Sequence, residues 1–160
     1  MEGFSHLDEF GRPAMVDVTA KSVSHRTAVA QSIVELPEEV MQKFSAGGFN
    51  TPKGSVLQVA IIAGIMAAKK TGELIPLCHP LGLDNCHITI QVKDVNQLVI
   101  ICTTSISAKT GVEMEALVGA TIAALTVYDM CKALSHHIVI KETKLIKKTG
   151  GKYDFENGSK

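Results

Sequence analysis

The 160-residue sequence contains no C-x-x-C pair, no G-x-x-x-x-G-K-[ST] loop, no S-x-x-K motif, no excess of either charge and no long uninterrupted apolar run. The first absence, with no secretory signal in the acid-bearing start MEGFSHLDEFGRP, leaves Cys78, Cys86, Cys102 and Cys131 as free thiols of a reducing compartment. The second and third exclude a P-loop and a penicillin-type serine enzyme. Sixteen Lys and Arg against sixteen Asp and Glu give no net-charge reason to expect a nucleic-acid or membrane partner. The longest mostly apolar stretch, Val56 to Ala68, is interrupted by Gln58 and falls short of the roughly 18 residues a spanning helix needs. A soluble, cytoplasmic protein is expected. Its length suits one domain that buries roughly 70% of the surface of the unfolded chain without a disulfide or structural metal.

What is present is a readable alternation of elements. Residues 1–25 are polar and turn-rich and are read as an arm. Thr27 to Leu36 has strand spacing and ends at Pro37. Pro37-Glu38-Glu39 opens a short helix, with proline in the first turn and acids against the positive end of the dipole, and Gly47-Gly48 stops it. Gly54-Ser55 caps a second helix over about 56–70, apolar on nearly every side. His87 to Lys93 alternates with period two, Asp94 to Gln97 supplies a turn, and Leu98 to Ser107 completes a hairpin. A long helix follows over about 112–134, then a strand over 138–147. The order β-α-α-β-β-α-β, with one helix removed, is the split β-α-β pattern of a ferredoxin-like α+β fold: an antiparallel sheet with helices on one face. That core is expected over 26–152, followed by a flexible tail at 153–160. The Ala- and Gly-rich helices carry more apolar surface than one sheet face uses, so an oligomer is expected.

Several patterns bear on chemistry. Lys-Thr-Gly recurs at 70–72, 109–111 and 148–150, and Lys53-Gly54-Ser55 stands at the start of the second helix. Lysine with glycine and a hydroxyl at a helix N-terminus makes an anion site, although caps with solvated lysine neighbours have the same composition. In YDMCK, Asp129 and Lys132 share a helix face. Such a pair is by default a surface ion pair, but the apolar turns that precede it place it at a buried edge, where desolvation lowers a lysine pKa and makes the lysine a candidate general acid or base. Glu113 and Glu115 open the same helix, where acids suit the dipole. Glu115 and Asp129 lie nearly four turns, about 21 Å, apart, so a site using both ends joins two subunits. Cys78-His79 in ELIPLCHP recurs as Cys86-His87. Adjacent residues rarely reach one tetrahedral zinc ion, and a nucleophile and its base are seldom sequence neighbours. A proline-stiffened structural loop and a substrate loop with His79 as hydrogen-bond donor both remain.

SHLDEFGRPAMVDV (5–18), PKGSVLQVAIIAGIMAAKKTGELIPLCHPL (52–81), KTGVEMEAL (109–117), AALTVYDMCKA (123–133) and KKTGGK (147–152) together resemble the cyclic pyranopterin monophosphate synthase family of molybdenum cofactor biosynthesis. The resemblance implies a ferredoxin-like fold, a hexamer built as a trimer of dimers with active sites between subunits, and no metal or cofactor. It also implies a lyase that converts (8S)-3',8-cyclo-7,8-dihydroguanosine 5'-triphosphate to cyclic pyranopterin monophosphate with release of diphosphate. Carried onto matching positions, Asp129 and Lys132 are the catalytic pair. Leu77, Cys78, His79, Met114 and Glu115 become substrate contacts, with Lys53, Lys69 and Lys148 as further site lysines. Departures from the family pattern at Ser55, Ile61, Gly72 and Tyr153 touch contact detail only. The rival readings are a non-catalytic nucleotide-sensing ferredoxin-like module and a zinc hydrolase using Cys78, His79, Cys86 and His87.

Overall fold

A computed structural model describes residues 6–158; residues 1–5 of the expected arm, Ser5 among them, and 159–160 of the expected tail lie outside the described residues. The elements in chain order are β1 (Ser24–Glu35), α1 (Glu38–Gly47), β2 (Asn50–Thr51), β3 (Gly54–Ser55), α2 (Val56–Ala68), α3 (Thr71–Leu74), β4 (Asn85–Lys93), β5 (Gln97–Ala108), α4 (Glu113–Cys131), β6 (Val139–Thr149) and β7 (Phe155–Glu156). The expected strands and the three expected helices, α1, α2 and α4, are all present. The β2–β3 ribbon, the single turn α3 and the short β7 are additional. α3 forms where a loop was expected because the Thr71 hydroxyl donates to the Ala68 carbonyl at 2.9 Å, carrying the chain from α2 into another turn.

Five strands form one sheet in the order β4-β5-β1-β6-β7, each neighbouring pair antiparallel. β1 is central and shows why register is fixed. Ala28, Ala30, Ser32 and Val34 point to one side, opposite Thr104, Cys102, Ile100 and Leu98 of β5, and all eight are buried. Slipping by one residue would move that whole set to the other face. The fold is thus α+β, with a mostly antiparallel five-stranded sheet and four helices.

α2 and α4 cover the same sheet face. A Cβ built on Gly64 of α2 meets Ile88, and one built on Gly119 of α4 meets Cys102; Ile88 and Cys102 are directly paired in β4 and β5. The helices cross at these two glycines, where a Gly64 Cβ would stand 2.7 Å from the Gly119 carbonyl. Glycine here permits close backbone approach. α4 is long and apolar enough by composition to cross a membrane, yet Ala116, Ala120, Ala123, Ala124, Val127 and Cys131 form its buried stripe in the core. Val40 and Phe44 of α1 and Val56 and Ala60 of α2 complete that core. Outside it, α2 exposes Ile62 and Met66, and α4 exposes Leu125.

Candidate active site

α4 carries chemistry at both ends, and its length keeps them apart. At the N-terminal end lies a cleft of about 1060 Å³ walled by the arm, the start of β1, the 109–111 turn and the end of β6. Two of the three Lys-Thr-Gly triplets, 109–111 and 148–150, line it together; the 70–72 copy does not. Five cationic side chains face it, Lys21, Arg26, Lys109, Lys148 and Lys152, with Glu113 as the one carboxylate among its lining residues. His79 is also in its wall.

The wall is built from hydrogen bonds between distant segments. His79 Nε2 lies 2.8 Å from the Val16 carbonyl and donates to it, and Lys109 Nζ donates to the Thr19 carbonyl at 2.9 Å. These two bonds hold residues 16–19 of the arm against the site. Arg26 Nη2 reaches the Lys109 carbonyl at 3.4 Å, while Arg26 Nε and Thr110 Oγ1 are buried without a hydrogen-bond partner. Unmet donors beside a cationic cleft suit an anionic ligand. Lys148 Nζ is 3.2 Å from Glu113 Oε1.

Beside this cleft, the first turns of α4 pack near the 77–79 loop. Glu115 is buried at 3% exposure, and burial pushes its carboxyl above the ordinary carboxylate value; the Glu113 charge adds to the rise, against a bond from its own backbone amide. Burial raises the Cys78 thiol as well, and the Glu115 charge adds to that rise. A thiol so placed is a poor thiolate nucleophile. Leu77 is half-buried, and Met114 and Lys69 are exposed. Lys69, at the C-terminus of α2, lies close enough to Cys86 to favour that thiol's ionised form, although the dominant influence there is the Cys102 thiol 3.9 Å away. Cys86 thus points inward while His87, its neighbour on β4, is exposed. Strand alternation separates the two as candidate zinc ligands, and no group of three or more His, Cys, Asp or Glu among the described residues is placed to hold a metal ion.

At the C-terminal end of α4 a smaller cleft of about 490 Å³ is lined by Leu125, Thr126, Tyr128, Asp129 and Lys132. Lys132 Nζ and Asp129 Oδ1 are 2.6 Å apart. The hydrogen bond and charge of Lys132 hold the Asp129 carboxyl below its ordinary value, with a further contribution from Lys53 in the β2–β3 ribbon. The same bond raises Lys132. The expectation of a buried edge with a lowered lysine pKa is therefore corrected for the single chain: the side chains are 54% and 59% exposed. The reason is helical phase. Leu125, Asp129 and Lys132 follow i, i+4, i+7 on the outward stripe of α4, opposite the buried Ala120, Ala124, Val127 and Cys131.

The geometry thus places His79 and Lys148 in one cleft, Asp129, Lys132 and Lys53 around another, and Leu77, Cys78, Met114 and Glu115 near the first. Sequence reading singled out neither Lys21 nor Arg26. Neither carried a signal of its own: Arg26 precedes the strand read from Thr27 and stands among Ser24, His25 and Thr27, and Lys21 lies in the polar arm.

Comparison with known proteins decides the family. Residues 15–151 match the MoaC family model. The chain belongs to the MoaC family. This MoaC-family chain is 52% identical over 150 residues to a protein of Xanthomonas campestris pv. campestris (strain B100) named cyclic pyranopterin monophosphate synthase, covering 94% of this chain and 91% of the relative. It is 50% identical over 155 residues to a protein of the same name from Lysinibacillus sphaericus (strain C3-41), covering 95% and 96%. A molybdenum cofactor biosynthesis bifunctional protein of Synechocystis sp. (strain ATCC 27184 / PCC 6803 / Kazusa) is 50% identical over 155 residues, covering 94% of this chain and 45% of its own length.

Proposed function

We infer that this MoaC-family chain is, like the relatives that carry the name, a cyclic pyranopterin monophosphate synthase, an enzyme of molybdenum cofactor biosynthesis. Its substrate is (8S)-3',8-cyclo-7,8-dihydroguanosine 5'-triphosphate, and its second product is diphosphate. The observation that carries this reading is the larger cleft, where five cations meet one carboxylate in a chain whose charges balance overall. A triphosphate supplies the missing negative charge.

Lys21, Arg26, Lys109, Lys148 and Lys152 neutralise the phosphates and the charge that grows on departing diphosphate as a ribose-derived oxygen attacks the α-phosphorus. His79, Leu77, Cys78, Met114 and Glu115 hold the purine-derived ring. Lys132, oriented by Asp129 with Lys53 nearby, moves protons as the five-membered ring of the guanine opens and the pyrazine forms. The raised Lys132 pKa in the lone chain favours its acid form. Burial against a second subunit would bring it down toward the range where it also serves as a base.

The two clefts of one chain are too far apart for one small molecule, since α4 rises about 1.5 Å per residue from Glu115 to Asp129. The site therefore joins the larger cleft of one subunit to the Asp129–Lys132 end of another, in a hexamer built as a trimer of dimers in the cytoplasm. Exposed Ile62, Met66 and Leu125 are available for such contacts. The sheet order β4-β5-β1-β6, with α2 and α4 on one face, supports the ferredoxin-like description.

The test is incubation of the purified protein with the cyclic triphosphate, following diphosphate release and the fluorescent oxidised pterin. Release of both products is expected. Tight binding with no turnover would replace this reading with the nucleotide-sensing module.

A further inference from the structure

Lys148 does not stand free at the mouth of the larger cleft. Its ammonium has two partners from different parts of the chain: the Glu113 carboxylate at 3.2 Å and the ring of Tyr153, whose centroid lies 4.5 Å away. An ammonium within about 6 Å of an aromatic face is attracted by the ring quadrupole.

Tyr153 is 65% exposed, so packing alone does not hold its ring over the lysine. The turn that carries it does. Gly150 adopts φ +83°, and a Cβ there would stand 1.9 Å from the His25 carbonyl, so the backbone of the turn is pressed against β1. Ser24 Oγ donates to the Gly150 carbonyl at 2.8 Å, and the Gly150 amide donates to Asp154 Oδ1 at 3.0 Å. Beyond the turn, Phe155 pairs with Lys148 itself. The β6–β7 hairpin is closed by these bonds into a shape that returns residue 153 over residue 148. Glu113 needs a matching space: a Cβ on Gly111 would collide with its carboxylate, so glycine there lets Glu113 fold back toward Lys148.

We propose that Tyr153 is a positioning residue for the anion site, its ring holding the Lys148 ammonium at the cleft while a phosphate group of the ligand takes the place of Glu113. The proposal rests on the reading of the cleft as a triphosphate site. An aromatic ring is a suitable second partner because it attracts the cation without competing for it as a second carboxylate would. Glu113 keeps the lysine neutralised in the empty site, and the ring keeps it aimed when the phosphate arrives.

The test uses the purified full chain and three substitutions, Tyr153→Leu, Tyr153→Phe and Lys148→Met, with two readouts: calorimetric binding of inorganic triphosphate, and KM and kcat for diphosphate release from the cyclic triphosphate. A cation–π contact at an exposed site corresponds to about a 2- to 5-fold effect. Tyr153→Leu is expected to weaken triphosphate binding and raise KM by that factor with kcat unchanged. Tyr153→Phe should restore both, and Tyr153→Leu should add nothing in a Lys148→Met background. Equal loss in the Phe and Leu variants, a fall in kcat in place of a rise in KM, or an undiminished Leu effect in the Lys148→Met background would overturn the role. Absence of turnover by the unaltered protein strikes at the proposed reaction, whereas the triphosphate binding series still decides for or against Tyr153.

Discussion

Glu115 sits at 3% exposure beside a second acid, an arrangement that costs stability and so calls for a reason at the residue scale. Its folded-state pKa is raised, so the native chain binds the proton more tightly than the unfolded chain does. That contribution is fully present below the ordinary carboxylate value of 4.5 and is lost as pH rises through the elevated folded value. Glu115→Gln removes the ionisation while keeping the shape. The variant is expected to unfold at higher urea concentration than the parent at pH 7, with the difference shrinking toward pH 4, and to lose pterin formation at the same time. Urea midpoints at the two pH values check the sign; a variant less stable at pH 7 would mean that the buried carboxylate is better compensated than its partners indicate. Lys132 has the opposite profile. It is exposed and its one close partner is Asp129, so Lys132→Ala should leave the thermal midpoint where it is. Loss of a general acid–base group costs about 100- to 10,000-fold in turnover. Normal product formation by Lys132→Ala would remove it from the chemistry.

The elements differ in how openly the sequence announces them. β1, the β4–β5 hairpin and α1 are legible because local physics fixes them: alternation in SHRTAVAQSIVE, a turn at Asp94 with φ 58°, and Gly48 in the left-handed conformation at the end of α1. α2 and α4 are legible as helices but not in phase. Both are apolar nearly all round, so composition could not tell which stripe of α4 meets the sheet, and the Asp129–Lys132 pair was expected at a buried edge when it lies on the outward one. What sets the phase is small-residue packing. Gly64 and Gly119 permit the one crossing at which the helix backbones touch, and that rotation turns Leu125, Asp129 and Lys132 outward. Gly64→Ala places its methyl 2.5 Å from Ile88 Cδ1, a side-chain end that can swing away, and 2.7 Å from the Gly119 carbonyl, backbone that cannot yield cheaply. Overpacking of this kind costs about 1–3 kcal/mol, which a shift in the urea midpoint at constant m-value measures. An unshifted midpoint would show that the helices slide apart without loss.

At the scale of the whole molecule, the larger cleft could not be foreseen from any one motif, because it is assembled from the arm, β1, the 109–111 turn and the β6–β7 turn, segments that meet only in the fold. Lys21 and Arg26 gain meaning from that meeting. The same reasoning extends past one chain. Glu115, beside the cationic cleft, and Asp129 lie on one helix that separates them by about 21 Å, so under the proposed function a complete site takes the cleft from one subunit and the Asp129–Lys132 pair from a neighbour. Two variants separate the halves: Lys148→Ala damages the cleft and spares the pair, and Lys132→Ala does the reverse. Each alone is expected to form product poorly. If the two are mixed in equal amounts, unfolded and refolded together, random assembly gives roughly one site in four an intact cleft facing an intact pair. Activity should therefore return to about a quarter of the parent value for the mixture and stay at its low single-variant level for either variant refolded by itself. Mixing without refolding provides the control, since recovery there requires subunits to exchange between assembled copies. No recovery from the co-refolded mixture, with both variants shown to have assembled together, would place both halves of the site in one chain and require α4 to end differently from the helix described here.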